Sequence, residues 1–181
     1  MNKIQIIVNN GAGTGSAVAV WKETKEYLQE NKISYNAYLT RYEKHAVKLA
    51  GQICEKIPEG PIYLLVVGGD GTINEVLNGI TDFERVRLGV IPTGSGNDFA
   101  RNLGILRNTR EDLQEITACI GQEQNGEKLQ RIDLGKVSWE GCEKPRIFGI
   151  SAGAGLDAIV CKKALHSKLK KILNRFHLGK L

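Results

Sequence analysis

The chain has 181 residues, 41% hydrophobic and 25% charged, and its 25 Lys and Arg against 20 Asp and Glu give a net charge of +5. This length and composition fit one folded domain with part of a second, and they exclude a disordered chain. No apolar run approaches the roughly 20 residues that cross a bilayer, and the polar start Met1-Asn2-Lys3 is no signal peptide, so we expect a cytoplasmic protein.

Short β-rich runs alternate with longer helical patterns from the start of the chain to Ile120. This alternation predicts a parallel sheet with helices on both sides, a three-layer α/β fold. The run from Ile62 to Val67 is continuously apolar, as expected for a strand covered on both faces. The predicted elements are strand 4–8, helix 16–31, strand 34–39, helix 43–57, strand 62–67, helix 72–78, strand 87–91 and helix 110–120.

The pattern changes near residue 122, where a polar linker begins. Beyond it, two strands over 129–139 and 146–150 have no helix between them, which predicts an antiparallel hairpin, and a helix is predicted over 156–174. We therefore expect a first domain over 1–125 and the beginning of a β-rich second domain over 126–181. About 50 residues rarely sustain a domain alone.

Three predicted strands end in turns rich in glycine and small polar residues, at Asn9–Gly15, Gly68–Thr72 and Pro92–Asp98. In an open α/β sheet, ligands bind at the carboxyl ends of the strands, where helix N-termini present free backbone N–H groups to anions. Three such turns on one edge predict a phosphate-bearing ligand that lies across them.

The first turn fits neither of the common nucleotide-binding patterns. Ser16 stands in place of the last glycine of GxGxxG, Thr40 rather than an acidic residue ends the second strand, and no Gly-Lys-Ser/Thr follows. Taken alone, this turn is as consistent with a simple tight turn as with a phosphate loop.

The second turn is more specific. Its three glycines allow the backbone to pass close to a phosphate, and Thr72 is suited to cap the following helix. Asp70 would repel a phosphate unless it holds a metal ion or a ribose hydroxyl, which favours Mg²⁺. The alternative is an aspartate that makes a local turn hydrogen bond.

The same turns resemble the signatures of one family. Residues 68–79, from Gly68-Gly69-Asp70-Gly71-Thr72 through Asn74-Glu75 to Asn78-Gly79, resemble the catalytic domain of diacylglycerol kinases and related bacterial lipid kinases. Residues 92–101 resemble the second signature of that family, and residues 9–13 its first nucleotide loop. Thr40 and the pair His45-Ala46 also match in place. Residues 131–135 and 155–158 resemble the opening of the family's second, β-rich domain.

Three positions depart from the family pattern. Asn10 stands where proline is usual, Ser95 where threonine is usual, and Ile150 where asparagine is frequent. Asn10 and Ser95 each keep a turn-forming side chain or a hydroxyl, and Ile150 is expected to alter only a minor contact near the domain junction.

The resemblance implies transfer of the γ-phosphoryl group of ATP, with Mg²⁺, to the hydroxyl of a lipid such as diacylglycerol, in phospholipid biosynthesis. It assigns nucleotide binding to Asn9, Asn10, Gly11, Ala12, Gly13, Thr40, Gly68, Gly69, Asp70, Gly71, Thr72, Asn74, Glu75 and Ser95.

Catalytic roles are expected for Asp70, Asn97 and Asp98. Asp70 would contact the Mg²⁺ hydration network indirectly, and Asn97 and Asp98 would support the triphosphate or approach the acceptor. Asp98 is equally suited to cap a helical turn over 99–103, Arg101 either balances negative charge or pairs with a neighbouring carboxylate, and a nucleotide-side role for His45 stays open. Family members continue beyond this length, so we expect a truncated kinase whose general base lies in the missing C-terminal part and which turns over little by itself.

Two other functions stay open: an NAD kinase-like enzyme, which shares the Gly-Gly-Asp-Gly-Thr turn, and a non-catalytic nucleotide-binding module. Residues 162–181 hold seven basic and no acidic side chains, which leaves 18 basic against 20 acidic, a net charge of −2, in residues 1–161. No nucleic-acid partner is expected from that distribution. The basic segment favours either peripheral contact with an anionic membrane or a solvated helix face. A homodimer stays open.

Overall fold

The structure, a computed structural model, describes residues 3–11, 16–105, 108–122 and 129–166. The chain divides into two compact units, Met1–Gly149 and Ile150–Leu181. The strands are β1 (Ile4–Val8), β2 (Tyr35–Leu39), β3 (Ile62–Gly68), β4 (Val86–Pro92), β5 (Gly135–Val137) and β6 (Arg146–Phe148). The helices are α1 (Ser16–Glu30), α2 (His45–Lys56), α3 (Asp70–Leu77), α4 (Asp98–Asn102), α5 (Thr109–Gln122) and α6 (Leu156–His166).

Strands β1 to β4 form one parallel sheet in the order β2-β1-β3-β4, which confirms the predicted α/β class. Every residue of β1 and β3 is buried, as the continuous apolar run of β3 predicts. The chain moves outward from β1 to β2 and then returns past β1 to β3. The strand order therefore reverses between β1 and β3, and a crevice at such a reversal is where ligands bind in open α/β sheets.

The two faces of the sheet are covered by different helices, so the predicted three layers are confirmed. Because successive side chains of a strand alternate, Leu64 and Val66 pack into the core formed with α2, α3 and α4. Leu65 and Val67 pack into the opposite core with α1 and α5, which contains Trp21 and Leu113.

A pair of charged side chains joins the two helices of that second layer. Arg110 of α5 donates two hydrogen bonds to the Glu30 carboxylate of α1, at 2.9 and 3.1 Å. The guanidinium holds the pKa of Glu30 below its ordinary value. Since both groups are solvent-exposed, the pair adds little to the stability of the fold.

The predicted antiparallel hairpin is confirmed, with Lys136 of β5 opposite Ile147 of β6. The predicted strand over 129–139 is too long, because only Gly135–Val137 is a strand. A strand extends only as far as a partner supplies hydrogen bonds, and β6 has three residues. Leu129 and Ile132 are exposed beside this short ladder.

Helix α3 holds β6 through Asn78. The Asn78 Oδ1 accepts the backbone N–H of Ile147 at 2.9 Å, and its Nδ2 donates to the Ile147 carbonyl at 2.8 Å. Asn74, one turn earlier, donates a longer bond of 3.4 Å to the same carbonyl. The Asn78 amide thus takes the place of a neighbouring strand for β6.

We expect Asn78→Ala to destabilise the chain by about 1–3 kcal/mol, because both backbone groups of Ile147 lose this partner. Asn78→Asp keeps the acceptor for the Ile147 N–H but places a charged oxygen against the Ile147 carbonyl, so we expect it to be no more stable than the alanine variant. Urea denaturation followed by Trp fluorescence measures both. An alanine variant as stable as the wild type would show that the hairpin is held by other contacts.

Helix α6 belongs to the second unit and has three apolar side chains that are more than half exposed, Leu156, Ile159 and Val160. The predicted helix over 156–174 is confirmed as far as His166, and the rest of it lies outside the described residues. Among the residues that the structure describes, no helix is long and apolar enough to cross a membrane.

Candidate functional site

Two of the three glycine-containing turns continue the hydrogen-bonding pattern of the parallel sheet. Just beyond β1, the Asn9 N–H donates to the Val67 carbonyl of β3 at 2.9 Å. Just beyond β4, the Thr93 N–H donates to the Gly68 carbonyl at 3.0 Å. The turns after β1, β3 and β4 therefore lie side by side at the carboxyl edge, as predicted.

Asn9 ties the first turn to the second. Its Nδ2 donates to Thr72 Oγ1 at 2.9 Å, and its Oδ1 accepts the Gly11 N–H at 3.1 Å. The prediction that Thr72 caps the helix is wrong, because α3 begins at Asp70 and the N-cap is Gly69. The Thr72 hydroxyl instead bridges the strand reversal between β1 and β3.

The backbones of the second and third turns are in close contact at two glycines. A Cβ added to Gly69 would lie 3.0 Å from Gly94 Cα, and one added to Gly94 would lie 3.0 Å from Gly69 Cα. Gly71 differs, since a Cβ there would meet nothing within 4 Å among the described residues. Packing therefore requires glycine at 69 and 94 and leaves space beside Gly71.

The Asp70 side chain contacts the end of the third turn and the start of α4. Its carboxylate accepts the backbone N–H groups of Asp98 at 3.1 Å and Phe99 at 3.0 Å, the first two residues of α4. The carboxylate therefore acts as the N-terminal cap of α4, where its charge is favourable to the helix dipole. The alternative of a local turn hydrogen bond does not describe this contact, which joins residues far apart in the chain.

Asp98 does not cap α4, so that alternative is wrong. Its carboxylate accepts a hydrogen bond from Arg101 Nη1 at 2.7 Å, and Arg101 Nη2 donates to the Gly96 carbonyl at 2.8 Å. Arg101 therefore pairs with a neighbouring carboxylate, the second of its two predicted roles. This pair is exposed, so its net contribution to stability is about 0.2–1 kcal/mol.

Asn97 closes the third turn on itself. It has left-handed backbone angles, φ 53° and ψ 39°, a conformation that asparagine tolerates better than most residues. Its Oδ1 accepts the Gly94 N–H at 2.8 Å, while its Nδ2 donates to the Gly94 carbonyl at 2.9 Å. Ser95 lies exposed within this closed turn.

Residues 3–137, which contain these turns, match the diacylglycerol kinase catalytic domain. The chain belongs to that family. The match contains the parallel sheet, all three turns and β5, so the predicted family is confirmed.

Relatives and solved structures agree with the family. The chain is 32% identical over 169 residues to "Putative lipid kinase YtlR" of Bacillus subtilis (strain 168), covering 92% of this chain and 52% of that protein. It is 35% identical over 136 residues to "Diacylglycerol kinase" of the same organism, covering 72% and 40%. A crystal structure of a "putative diacylglycerol kinase" from Bacillus anthracis str. Sterne matches with a TM-score of 0.58 and 28% identity, covering 73% and 44%. The chain thus spans about half the length of these family members.

Glu75, predicted to bind nucleotide, has a structural contact in this diacylglycerol kinase-family fold. Its carboxylate accepts the N–H groups of Lys44 at 3.0 Å and Ala46 at 3.2 Å, at the start of α2. Glu75 therefore caps α2 much as Asp70 caps α4. Asn74 and Asn78 contact β6, as described above. The nucleotide-binding roles of Asn74 and Glu75 stay predictions.

Thr40 and His45 lie on the same edge. The Thr40 N–H donates to the Val8 carbonyl at 2.9 Å, which places Thr40 beside Asn9. His45 is the first residue of α2, and its Nδ1 accepts the Arg41 N–H at 3.1 Å.

Two buried polar atoms at this edge have no hydrogen-bond partner among the described residues: Asn10 Oδ1 and Thr93 Oγ1. Thr93 is only 5% exposed. Asn10 is among the residues predicted to bind nucleotide, and Thr93 is not. The position of Thr93, directly after β4 and inside the third turn, could have indicated it. Unsatisfied buried polar atoms are costly, which favours a polar ligand here.

Several predictions fall outside the described residues. Ala12 and Gly13 of the first turn, the domain boundary at 125 and most of the basic segment 162–181 are among them. The predicted domain limits stay predictions. Within the part of the chain that is described, no three His, Cys, Asp or Glu side chains form a metal-binding group.

Proposed function

We propose that this chain forms the nucleotide-binding part of a kinase that transfers the γ-phosphoryl group of ATP to a lipid hydroxyl such as that of diacylglycerol, in phospholipid biosynthesis. The observation that supports it most is the contrast between Gly69 and Gly71. Packing explains glycine at 69, but Gly71 is exposed, and a Cβ there would meet no atom of the described residues within 4 Å. A bound phosphate is the physical reason to keep that space free of a side chain.

The charges around the turns suit a phosphate ligand. Asp70 and Asp98 would each repel it, yet Asp70 is engaged by the N-terminus of α4 and Asp98 by Arg101. The first N–H groups of α3 belong to Asp70 and Gly71 and have no intrahelical partner, as at any helix start. We propose that these N–H groups and the Thr93 hydroxyl donate to the nucleotide phosphates, and that Asn10 Oδ1, an acceptor, binds a hydroxyl of the nucleotide.

Mg²⁺ fits this site only indirectly. The described residues offer no cluster of three ligands, and the two Asp70 oxygens already accept backbone N–H groups. A carboxylate has about four lone-pair sites, so Asp70 retains capacity for a metal-bound water. We propose that the triphosphate itself would hold the ion, which when bound neutralises phosphate charge.

The catalytic contribution of the described residues is positioning. Asn97 and Asp70 fix the third turn, and Asp98 with Arg101 flanks it, so these groups would orient the triphosphate toward an acceptor. Phosphoryl transfer depends mainly on such positioning and on charge neutralisation. The base that accepts the lipid proton is proposed to lie in the part of family members that this chain does not span.

The test is transfer of radiolabel from γ-labelled ATP, with Mg²⁺, to diacylglycerol in anionic vesicles by the protein extended to family length. We expect labelled phosphatidic acid, and much less of it from the 181-residue chain alone. Label on NAD without label on lipid would favour the NAD kinase-like alternative. ATP binding without transfer by the extended protein would favour a binding module.

Vesicle co-sedimentation tests the proposed peripheral contact between residues 162–181 and an anionic surface. Each basic residue near such a surface contributes about 1 kcal/mol, so we expect binding that falls with added salt and with removal of that segment. Retained binding after removal would assign the contact elsewhere. Light scattering in the same buffers reports whether the protein is a dimer.

A further inference from the structure

The loop between β2 and α2 holds a stacked pair of rings. Tyr42 and His45 lie with ring centroids 4.3 Å apart and an interplanar angle of 22°. Arg41 donates its N–H to His45 Nδ1, which fixes the imidazole orientation. Tyr42 remains 59% exposed, so His45 covers one face of the phenol ring and leaves aromatic surface in solvent.

The loop that carries this ring pair starts at the carboxyl edge of the sheet, where β2 ends beside β1. Thr40, two residues before Tyr42, is hydrogen-bonded to the end of β1. On the other side, Glu75 of α3 accepts the N–H groups of Lys44 and Ala46, which flank His45. Glu75 lies about one helical turn from Thr72, whose hydroxyl contacts Asn9 in the crevice.

The N-terminus of α2 already holds a negative charge. Glu75 occupies the N–H groups at the start of α2 with a carboxylate, so this helix end is closed to a second anion. An exposed aromatic ring beside it offers a flat apolar surface. Such a surface suits the uncharged, planar end of a nucleotide and not its phosphates.

We propose that Tyr42, backed by His45, is the stacking platform for the base of the nucleoside triphosphate whose phosphates bind the glycine turns. The inference rests on the proposed function and adds a residue that the sequence patterns did not indicate. Stacking alone does not distinguish one base from another, since every base has a π-face. The platform therefore strengthens nucleotide binding and leaves base choice to other groups.

The test compares ATP with inorganic tripolyphosphate, which has the phosphates but no base, by isothermal titration in the presence of Mg²⁺. For Tyr42→Ala and Tyr42→Leu we expect ATP affinity to fall about tenfold and tripolyphosphate affinity to stay unchanged. Tyr42→Phe keeps the ring and is expected to bind ATP as the wild type does. Phe83→Ala is the matched control, because Phe83 is also exposed, at 41%, but precedes β4 at the opposite edge of the sheet.

The outcomes distinguish a failure of the Tyr42 platform from a failure of nucleotide binding itself. Unchanged ATP affinity in both Tyr42→Ala and Tyr42→Leu, with a wild type that binds ATP, overturns the platform and leaves the phosphate site intact. An equal loss of ATP and tripolyphosphate affinity also overturns it, since that indicates a disturbed loop. A wild type that binds neither ligand overturns both. Thermal unfolding of each variant shows whether it is folded.

Discussion

Asp70→Ala is expected to lower the free energy of unfolding by about 1–3 kcal/mol and to weaken ATP binding about tenfold. The reason is the position of the carboxylate over the first two N–H groups of α4. Without it, α4 loses its only side-chain cap within the described residues, and the third turn must be ordered at the expense of binding energy. Urea denaturation and isothermal titration of Mg²⁺–ATP measure the two effects.

Asp70→Asn separates the capping role from the proposed contact with the Mg²⁺ hydration network. The amide keeps one acceptor oxygen, but its NH2 group faces the second N–H of α4 and the charge is lost. We therefore expect a stability between those of the wild type and Asp70→Ala, with a reduced Mg²⁺ dependence of ATP binding. If Asp70→Asn binds Mg²⁺–ATP as the wild type does, Asp70 is a helix cap only. Unchanged ATP affinity in Asp70→Ala would remove this residue from the nucleotide site altogether.

Gly71→Ala is expected to stabilise the chain and to weaken ATP binding at the same time. A Cβ at this position meets no described atom within 4 Å, and alanine is favoured over glycine in a helix by about 1 kcal/mol. The same methyl group would occupy the space proposed for a phosphate, at a loss of about tenfold to a hundredfold in affinity. Opposite signs for stability and affinity identify a glycine kept for a ligand.

Gly69→Ala is the matched variant in the same turn. Its Cβ would lie 3.0 Å from Gly94 Cα, so we expect a loss of about 1–3 kcal/mol in stability together with a loss of affinity. If Gly71→Ala binds ATP with wild-type affinity, the open space beside Gly71 is not a phosphate site. The proposal would then lose its main support.

The predicted strands and helices agree with the structure because hydrophobic periodicity reports burial. The apolar run of β3 and the spacing of Ala46, Leu49, Ala50 and Ile53 in α2 describe surfaces that are buried in the fold. Periodicity does not set the length of β5, which is shorter than the apolar pattern predicts. An apolar stretch indicates a strand, but the length of that strand depends on a partner elsewhere in the chain.

The sequence by itself determined the class of the fold, the three turns and the family, since these depend on local periodicity and on residue types at fixed spacing. Tertiary structure alone decided what the polar side chains of those turns do. Asp70 caps a helix that begins 28 residues after it, and Glu75 caps one that begins about 30 residues before it. Tyr42 stacks on His45 in the loop after β2. Such contacts join separate elements, and their geometry exists only once the sheet has brought its carboxyl edge together. A carboxylate in a glycine turn can bind a metal, a ribose or a helix N-terminus, and only its neighbours in space distinguish these.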